Sequence, residues 1–312
     1  MEYLWIPLAI VALAAAAVLI GSYVCFRMAF YVPEKDKKPK SEFDIPQGKI
    51  YEPYRDRIVD WIKQTRALPC QEMSITSFDG LQLRGTYYEY APGAVIEIMF
   101  HGYRGSSERD LSGGVQRCFK LGHSALIVDQ RSSGKSQGNV ITFGINESRD
   151  CLAWVNHAIE RFGPECRLML TGISMGAATV MIAAGEDLPE NVIGVLADCG
   201  YSSAKAIIKE VIRQMKLPAD LLYPFVKLGA RLYGHFDLEK YSPAKALKTC
   251  KVPVLMFHGE DDAFVPCDMS RENFAACASR KKLVTVPGAG HGLCIMFDPE
   301  IYRATMTEFF GA

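Results

Sequence analysis

From Pro69 onward the chain alternates short, almost wholly apolar runs with longer stretches of helical periodicity, and this alternation limits the possible folds more than any other feature. The apolar runs fall at residues 95–100, 125–129, 167–171, 192–198, 254–257 and 283–286. Each is long enough for a strand and too short for a buried helix. Helical patterns lie at 108–121, 147–162, 175–186 and 269–279, and a last one at 299–310 closes the chain. Near-continuous Val/Ile/Leu strands are buried on both faces, so the pattern predicts a parallel sheet with helices on either side. Ahead of them, residues 73–78 and 81–88 flank Asp79-Gly80 and predict a hairpin, which makes eight strands in all.

One connection is too long for an ordinary crossover. About fifty residues separate Asp198 from Val254. Ala206, Ile207, Ile208, Val211, Ile212 and Met215 form one helical stripe there, and residues 221–232 are apolar. The expectation is a helical cap, residues 199–250, placed over a site at the end of the sheet.

The other end of the chain carries a different signal. Leu4 to Phe26 is apolar apart from Pro7, Gly21 and Ser22. A helix of about 20 such residues crosses a bilayer core. A cleaved signal peptide would begin with positive charge and have a shorter apolar stretch, whereas this start carries Glu2 and no Lys or Arg. Arg27, Lys35, Lys37, Lys38 and Lys40 follow the run, so the positive-inside rule puts the bulk of the chain in the cytoplasm. The 10 cysteines have no CxxC pair or regular spacing, which agrees with a reducing compartment. The reading is a single-pass membrane protein: an anchor at 1–30, a polar linker at 31–50 and a catalytic domain at 51–312. Within the last, Pro53 opens a helix to Arg66 with Tyr54, Ile58, Trp61, Ile62 and Thr65 on one face. A nucleic-acid binder needs a basic face, and nothing in a balance of zero net charge over 312 residues suggests one.

The chemistry is carried by a G-x-S-x-G motif, present twice: Gly134-Lys-Ser136-Gln-Gly138 and Gly172-Ile-Ser174-Met-Gly176. A nucleophile elbow needs a strand entering, a tight turn and a helix leaving, so that Oγ projects and the helix N-terminus faces developing negative charge. Ser174 has an apolar strand before it and an Ala-rich helix after it; Ser136 has neither. Ser174 is therefore the candidate nucleophile. A serine hydroxyl needs a base within reach and a carboxylate to orient that base. His291, in the loop after the last strand, is the candidate base, because strand order places the histidine last. His101 and His258 each end an earlier strand. For the acid, Glu260, Asp261 and Asp262 all follow the penultimate strand, and Asp198 is a more distant choice. Two backbone amides must hold the oxyanion. Met175 follows the nucleophile, and Tyr103 lies in the His101-Gly-Tyr-Arg-Gly105 loop after an early strand.

These pieces resemble the α/β-hydrolase superfamily, in its serine-aminopeptidase-like and Bem-type branch, over about residues 73–310. The likeness rests on the His101-Gly102 loop, Asp129-Gln-Arg-Ser-Ser-Gly-Lys-Ser136, the Ser174 elbow, Ala197-Asp-Cys-Gly-Tyr201, Gly259-x-x-Asp262-x-x-Val-Pro266 and Gly290-His291. The resemblance implies the α/β-hydrolase fold, and it selects Asp262 as the carboxylate that orients His291. It makes Asp129 and Arg131 structural buttresses. Ser132 stands where a glycine is commonest in such sequences, which bears on turn shape.

The combined expectation is a membrane-anchored serine esterase or thioesterase with Ser174, His291 and Asp262 as its triad, needing no metal or organic cofactor. Its partners are a small-molecule ester, thioester or amide substrate, and the membrane through the N-terminal helix. An apolar cap beside an anchor favours lipid-like acyl groups. A serine aminopeptidase is the alternative, which would require an acidic group such as Asp220, Asp237 or Glu239 to receive a free amine. A catalytically silent membrane-tethered binding protein is the other.

Overall fold

In the computed structural model, residues 5–39 and 41–311 are described, and Glu2, Leu4 and Lys40 of the sequence reading lie outside them. The hairpin comes first. β1 (Gln71–Thr76) pairs antiparallel with β2 (Gln82–Tyr88), from Gln71 opposite Tyr87 to Thr76 opposite Gln82. Six more strands follow: β3 (Ile96–Phe100), β4 (Ser124–Asp129), β5 (Leu168–Ile173), β6 (Val192–Asp198), β7 (Val254–Gly259) and β8 (Lys281–Val286). Their order is β1-β2-β4-β3-β5-β6-β7-β8, antiparallel at the β1–β2 and β2–β4 pairs and parallel elsewhere. This is the eight-stranded α/β-hydrolase sheet that the sequence predicts, and its central strands are buried throughout.

Helices cover both faces. After α1 (Trp5–Ala29) and α2 (Arg55–Arg66) come α3 (Ser107–Lys120), α4 (Ile145–Phe162), α5 (Met175–Ala183), α6 (Ala204–Gln214), α7 (Ala219–Tyr233), α8 (Pro243–Ala246), α9 (Asp268–Ala276), α10 (Cys294–Phe297) and α11 (Pro299–Phe310). Their ends follow local chemistry. Ser106 caps α3 by accepting from Arg109 N, and Ser203 caps α6 by accepting from Ala206 N. Asp298 caps α11, which has Pro299 at its first position and ends at Gly311 in the left-handed region. On one face Leu83, Ile98, Leu126, Trp154, Leu170 and Val180 form the core with α4 and α5. On the other, Met99 and Ile127 pack with α3, and Leu196 and Leu255 with α11.

The cap, α6 to α8, has its own core. Ile207, Ile208 and Ile212 are buried as the stripe predicts, but Met215 is 51% exposed, because α6 ends at Gln214 and the chain turns outward there. The apolar N-terminal run enters the same core. Over most of its length α1 is exposed, yet Phe26, Phe30 and Val32 are buried with Phe143, Tyr223 and Phe236. Phe30 makes edge contacts with Phe143 and Phe236 at 5.2–5.6 Å between ring centroids. Tyr31 bridges Val140, and Val32 N donates to Asn139 O. The polar stretch after α1 returns to the body of the molecule, where Ile45 is buried with Ile58, Ile62 and Leu293.

Candidate active site

Ser174 stands between the end of β5 and the first residue of α5, with φ +56° and ψ −115°. A side chain in that region of φ/ψ space is held there by its surroundings. The neighbouring glycines make the turn possible. A Cβ at Gly172 would run into the Gly176 carbonyl, and one at Gly176 into the Phe100 carbonyl. Ser174 N donates to Asp198 O at 2.8 Å, which fixes the turn against β6. The other G-x-S-x-G is a buried loop. Ser136 Oγ donates to Asp129 O and accepts from Arg84 N, so its hydroxyl is committed to structure.

His291 returns to the elbow from the loop after β8. Its Nε2 is 3.0 Å from Ser174 Oγ, and its Nδ1 is 2.7 Å from Asp262 Oδ2. With Nδ1 donating to the carboxylate, Nε2 presents its lone pair to the serine hydroxyl. Of the acids after β7, Glu260 and Asp261 are exposed and Asp262 is buried facing His291. Glu260 accepts from Thr285 Oγ1 instead. The Phe264 and Val265 amides donate to the other oxygen of Asp262. Burial alone would raise the Asp262 pKa, but hydrogen bonds from His258 and His291 and the His291 charge outweigh it, holding the group well below the usual carboxylate range. Asp198 is buried and accepts from Tyr302 Oη at 3.1 Å; burial raises its pKa.

Two other histidines have structural partners. His101 is fully buried between Gly102 O and Gln130 N. His258 reaches Val265 O at 2.8 Å and Asp262 Oδ2 at 3.3 Å through Nε2, so it braces the acid turn from behind. The sequence offered it only as a strand-ending histidine, because the partnership arises from the fold of the acid loop. Cys199 places a thiol within 4.8 Å of the Asp262 and His291 ligand atoms. Burial pushes that thiol far above its ordinary pKa, as for a cysteine packed in the interior.

The loop after β3 carries the second candidate amide. Gly102 N is taken by Asp110 Oδ2 at 3.0 Å, while Tyr103 N makes no hydrogen bond among the described residues. Met175 N belongs to the first turn of α5, whose amides have no partner within the helix. Tyr103 and Arg104 are tied to the end of α1. Tyr103 Oη donates to Ala29 O at 2.7 Å, and Arg104 Nη2 donates to Met28 O and Tyr31 O, both at 3.0 Å.

A cavity of about 510 Å³ opens at Ser174 and His291. One wall is the segment 46–51, which lies across the site and is fastened where Tyr51 Oη donates to His291 O at 3.0 Å. Ile58 and Trp61 of α2 continue this wall, with Leu293 and Met296 beside them. Inward, the cavity follows Met99 and the Gly113–Gly114 pair of α3. A Cβ at Gly113 would strike the Trp61 ring, so the glycine lets α2 close on α3. Most of this lining is apolar. No residue of the expected cap, 199–250, lines this cavity, whose cover comes from 46–51 and α2 because that stretch folds back over the site. The cap acids are engaged elsewhere, Asp220 with Lys209, and Glu239 with Lys227 and Tyr223. Asp237 does not line the cavity.

Residues 98–305 match the family model described as the alpha/beta hydrolase family. The chain is 25% identical over 190 residues to the uncharacterized protein YqkD of Bacillus subtilis, which covers 61% of this chain and 62% of YqkD. It is 24% identical over 295 residues to an uncharacterized protein of Mycobacterium tuberculosis, covering 94% of this chain and 88% of that protein. The esterase Pf2001 of Pyrococcus furiosus has a similar solved structure, with a TM-score of 0.66 at 23% identity over 80% of this chain and 92% of that one.

Proposed function

Because the chain belongs to the alpha/beta hydrolase family, we propose that it is a membrane-anchored serine hydrolase that cleaves a carboxylic ester or thioester through an acyl-enzyme. The observation that carries this reading is the unbroken relay from Ser174 Oγ through His291 to Asp262. Ser174 Oγ attacks the carbonyl carbon as its proton passes to His291 Nε2. The Tyr103 and Met175 amides receive the negative oxygen. As the intermediate collapses, His291 gives the proton to the leaving alcohol or thiol. Water then enters, His291 takes one of its protons, and the acid is released with Ser174 restored. Asp262 holds the imidazole in one tautomer and stabilises its charged form.

The apolar cavity supports an acyl substrate. None of Asp220, Asp237 or Glu239 lines the cavity, and the two carboxylates that do are engaged, Asp110 with Arg109 and Gly102 N and Asp198 with Tyr302 Oη, which favours the esterase over the aminopeptidase. The esterase Pf2001, similar in fold, fits the same choice. Among the described residues, one helix, Ile6–Ala29, is long and apolar enough to cross a membrane. Read as a spanning anchor with Arg27 and the lysines after it on the inner side, it leaves the catalytic domain in the cytoplasm.

A fluorophosphonate probe tests the mechanism. The wild-type protein is labelled and Ser174→Ala is not; an unlabelled wild type would refute the enzyme. Rates on p-nitrophenyl esters test the substrate class and rise from acetate to longer acyl chains. Equal or faster acetate hydrolysis removes the lipid preference.

A further inference from the structure

The cap carries an apolar face that the protein leaves uncovered. Leu221 and Leu232 are 64% and 41% exposed on α7, with Pro224 and the half-buried Leu228 between them. Residues 221, 224, 228 and 232 lie on one side of a helix. The α6–α7 turn extends the stripe with Met215 and Leu217, 51% and 43% exposed. The opposite side of α7, through Tyr223, Val226 and Ala230, is packed into the cap core.

What this face meets follows from how α7 sits on α1. Gly21 meets the Phe225 ring, Gly229 packs on Ser22 and Phe26, and Phe236, just past α7, meets Phe30. The pairings rise together, so the two helices run side by side in the same direction. Glycines at the contact let the backbones approach closely. Tyr23 and Tyr233 touch at 5.2 Å, with Arg27 close to the Tyr23 ring, an aromatic and basic group of the kind found at headgroup level. From Trp5 to Tyr23 a helix rises about 27 Å, close to the roughly 30 Å of a hydrocarbon core. Leu221 lies four residues before Phe225, level with about residue 17 of α1. That is about 9 Å beyond Tyr23, within the roughly 5–10 Å to which interfacial helices sink.

Charge points the same way. Between residues 204 and 233 there are six basic side chains against Glu210 and Asp220. Lys209, Arg213, Lys205 and Lys227 pair with Asp220, Glu210 and the nearby Glu239, and Lys216 and Arg231 make no ion pair among the described residues. An apolar stripe beside basic side chains suits an anionic lipid surface, since long cationic stems bury their carbons and raise their charge to the phosphates.

We propose that the outward stripe of the α6–α7 hairpin is seated in the leaflet beside α1, making the cap a membrane-interfacial element. The proposal rests on reading α1 as a spanning helix. It also sets the direction of substrate entry. Gln214 Nε2, at the end of α6, donates to Ala263 O at 2.8 Å, and the adjoining Phe264 stands at the rim of the cavity, 39% exposed. Seating the cap brings that rim to the lipid surface.

The test uses the full-length protein in vesicles of phosphatidylcholine and phosphatidylglycerol, with brominated lipid as a contact quencher of tryptophan. Leu221→Trp and Leu228→Trp show quenching above the background of the three native tryptophans, and Lys251→Trp, exposed far from the cap stripe, shows none. Alkaline carbonate extraction tests the parent reading separately. Protein released by carbonate overturns the spanning helix and the proposal together. Protein retained with no added quenching at 221 and 228 overturns the cap seating alone. A second measurement uses Leu221→Glu with Leu228→Glu. Hydrolysis of a long-chain ester held in vesicles falls about tenfold, while p-nitrophenyl acetate hydrolysis stays within about twofold. An equal fall on both substrates refutes the proposal.

Discussion

At the scale of single residues, the site depends on which oxygens and nitrogens are already engaged. Asp262 shares one oxygen between His291 and His258 and gives the other to two backbone amides, so its carboxylate is fixed in one orientation. Asp262→Asn keeps the shape but cannot stabilise an imidazolium or enforce its tautomer. Its kcat should fall by about 10⁴-fold while the variant keeps its folded circular dichroism spectrum. Local spacing in the sequence could not separate Asp261 from Asp262, since adjacent residues in a loop can face either way. The resemblance to a family motif chose Asp262, the one whose carboxylate lies against His291. Ser132 shows the reverse case. It occupies φ +65°, where glycine is favoured, so the place of the commoner glycine is explained by backbone shape. The brace from His258 and the thiol of Cys199 had no local signal, because both depend on chain segments far apart in sequence.

At the scale of elements, sheet and helices were legible because period and burial agree: strands buried on both faces read as apolar runs, and α2 and α6 read as stripes. The first fifty residues were less legible. A polar, proline-bearing stretch reads as a spacer, and nothing in its composition tells that 46–51 lies across a cavity or that Tyr51 reaches His291 O. Nor does an apolar run reveal that its last turns will hold a loop. Arg104 joins the carbonyls of Met28 and Tyr31 to the segment carrying the Tyr103 amide. Removing an oxyanion donor outright costs about 10²–10³ in kcat, and loosening its support costs less. Arg104→Ala should therefore lower kcat about tenfold and leave KM within about twofold, measured on a soluble ester in detergent. An unchanged kcat would show that the loop stands without α1.

At the scale of the whole molecule, one buried charge network ties the sheet to α3. Glu97 of β3, fully buried, accepts from Arg117, His123 and Thr171. Burial would raise its pKa, but the Arg117 charge and then His123 bring it down from 4.5 to about 2. A depressed carboxylate contributes stability above its unfolded pKa and loses it as the proton binds. The contribution is present above about pH 4.5 and disappears as pH falls toward 2. Glu97→Gln leaves Arg117 buried without its counter-charge and should cost about 3–5 kcal/mol at pH 7, with a flatter pH dependence between those limits. Urea unfolding in detergent at several pH values measures both. The way the N-terminal fifty residues clasp the catalytic centre from two directions also bears on shedding. On the proposed reading of α1 as an anchor, a protease cutting at the exposed residues 34–36 would sever the covalent tether and still not free a soluble enzyme. The cut helix would stay wedged between the cap and the Tyr103 loop, and the downstream piece would stay folded over the pocket. Detaching this hydrolase from that proposed anchor would mean dismantling it.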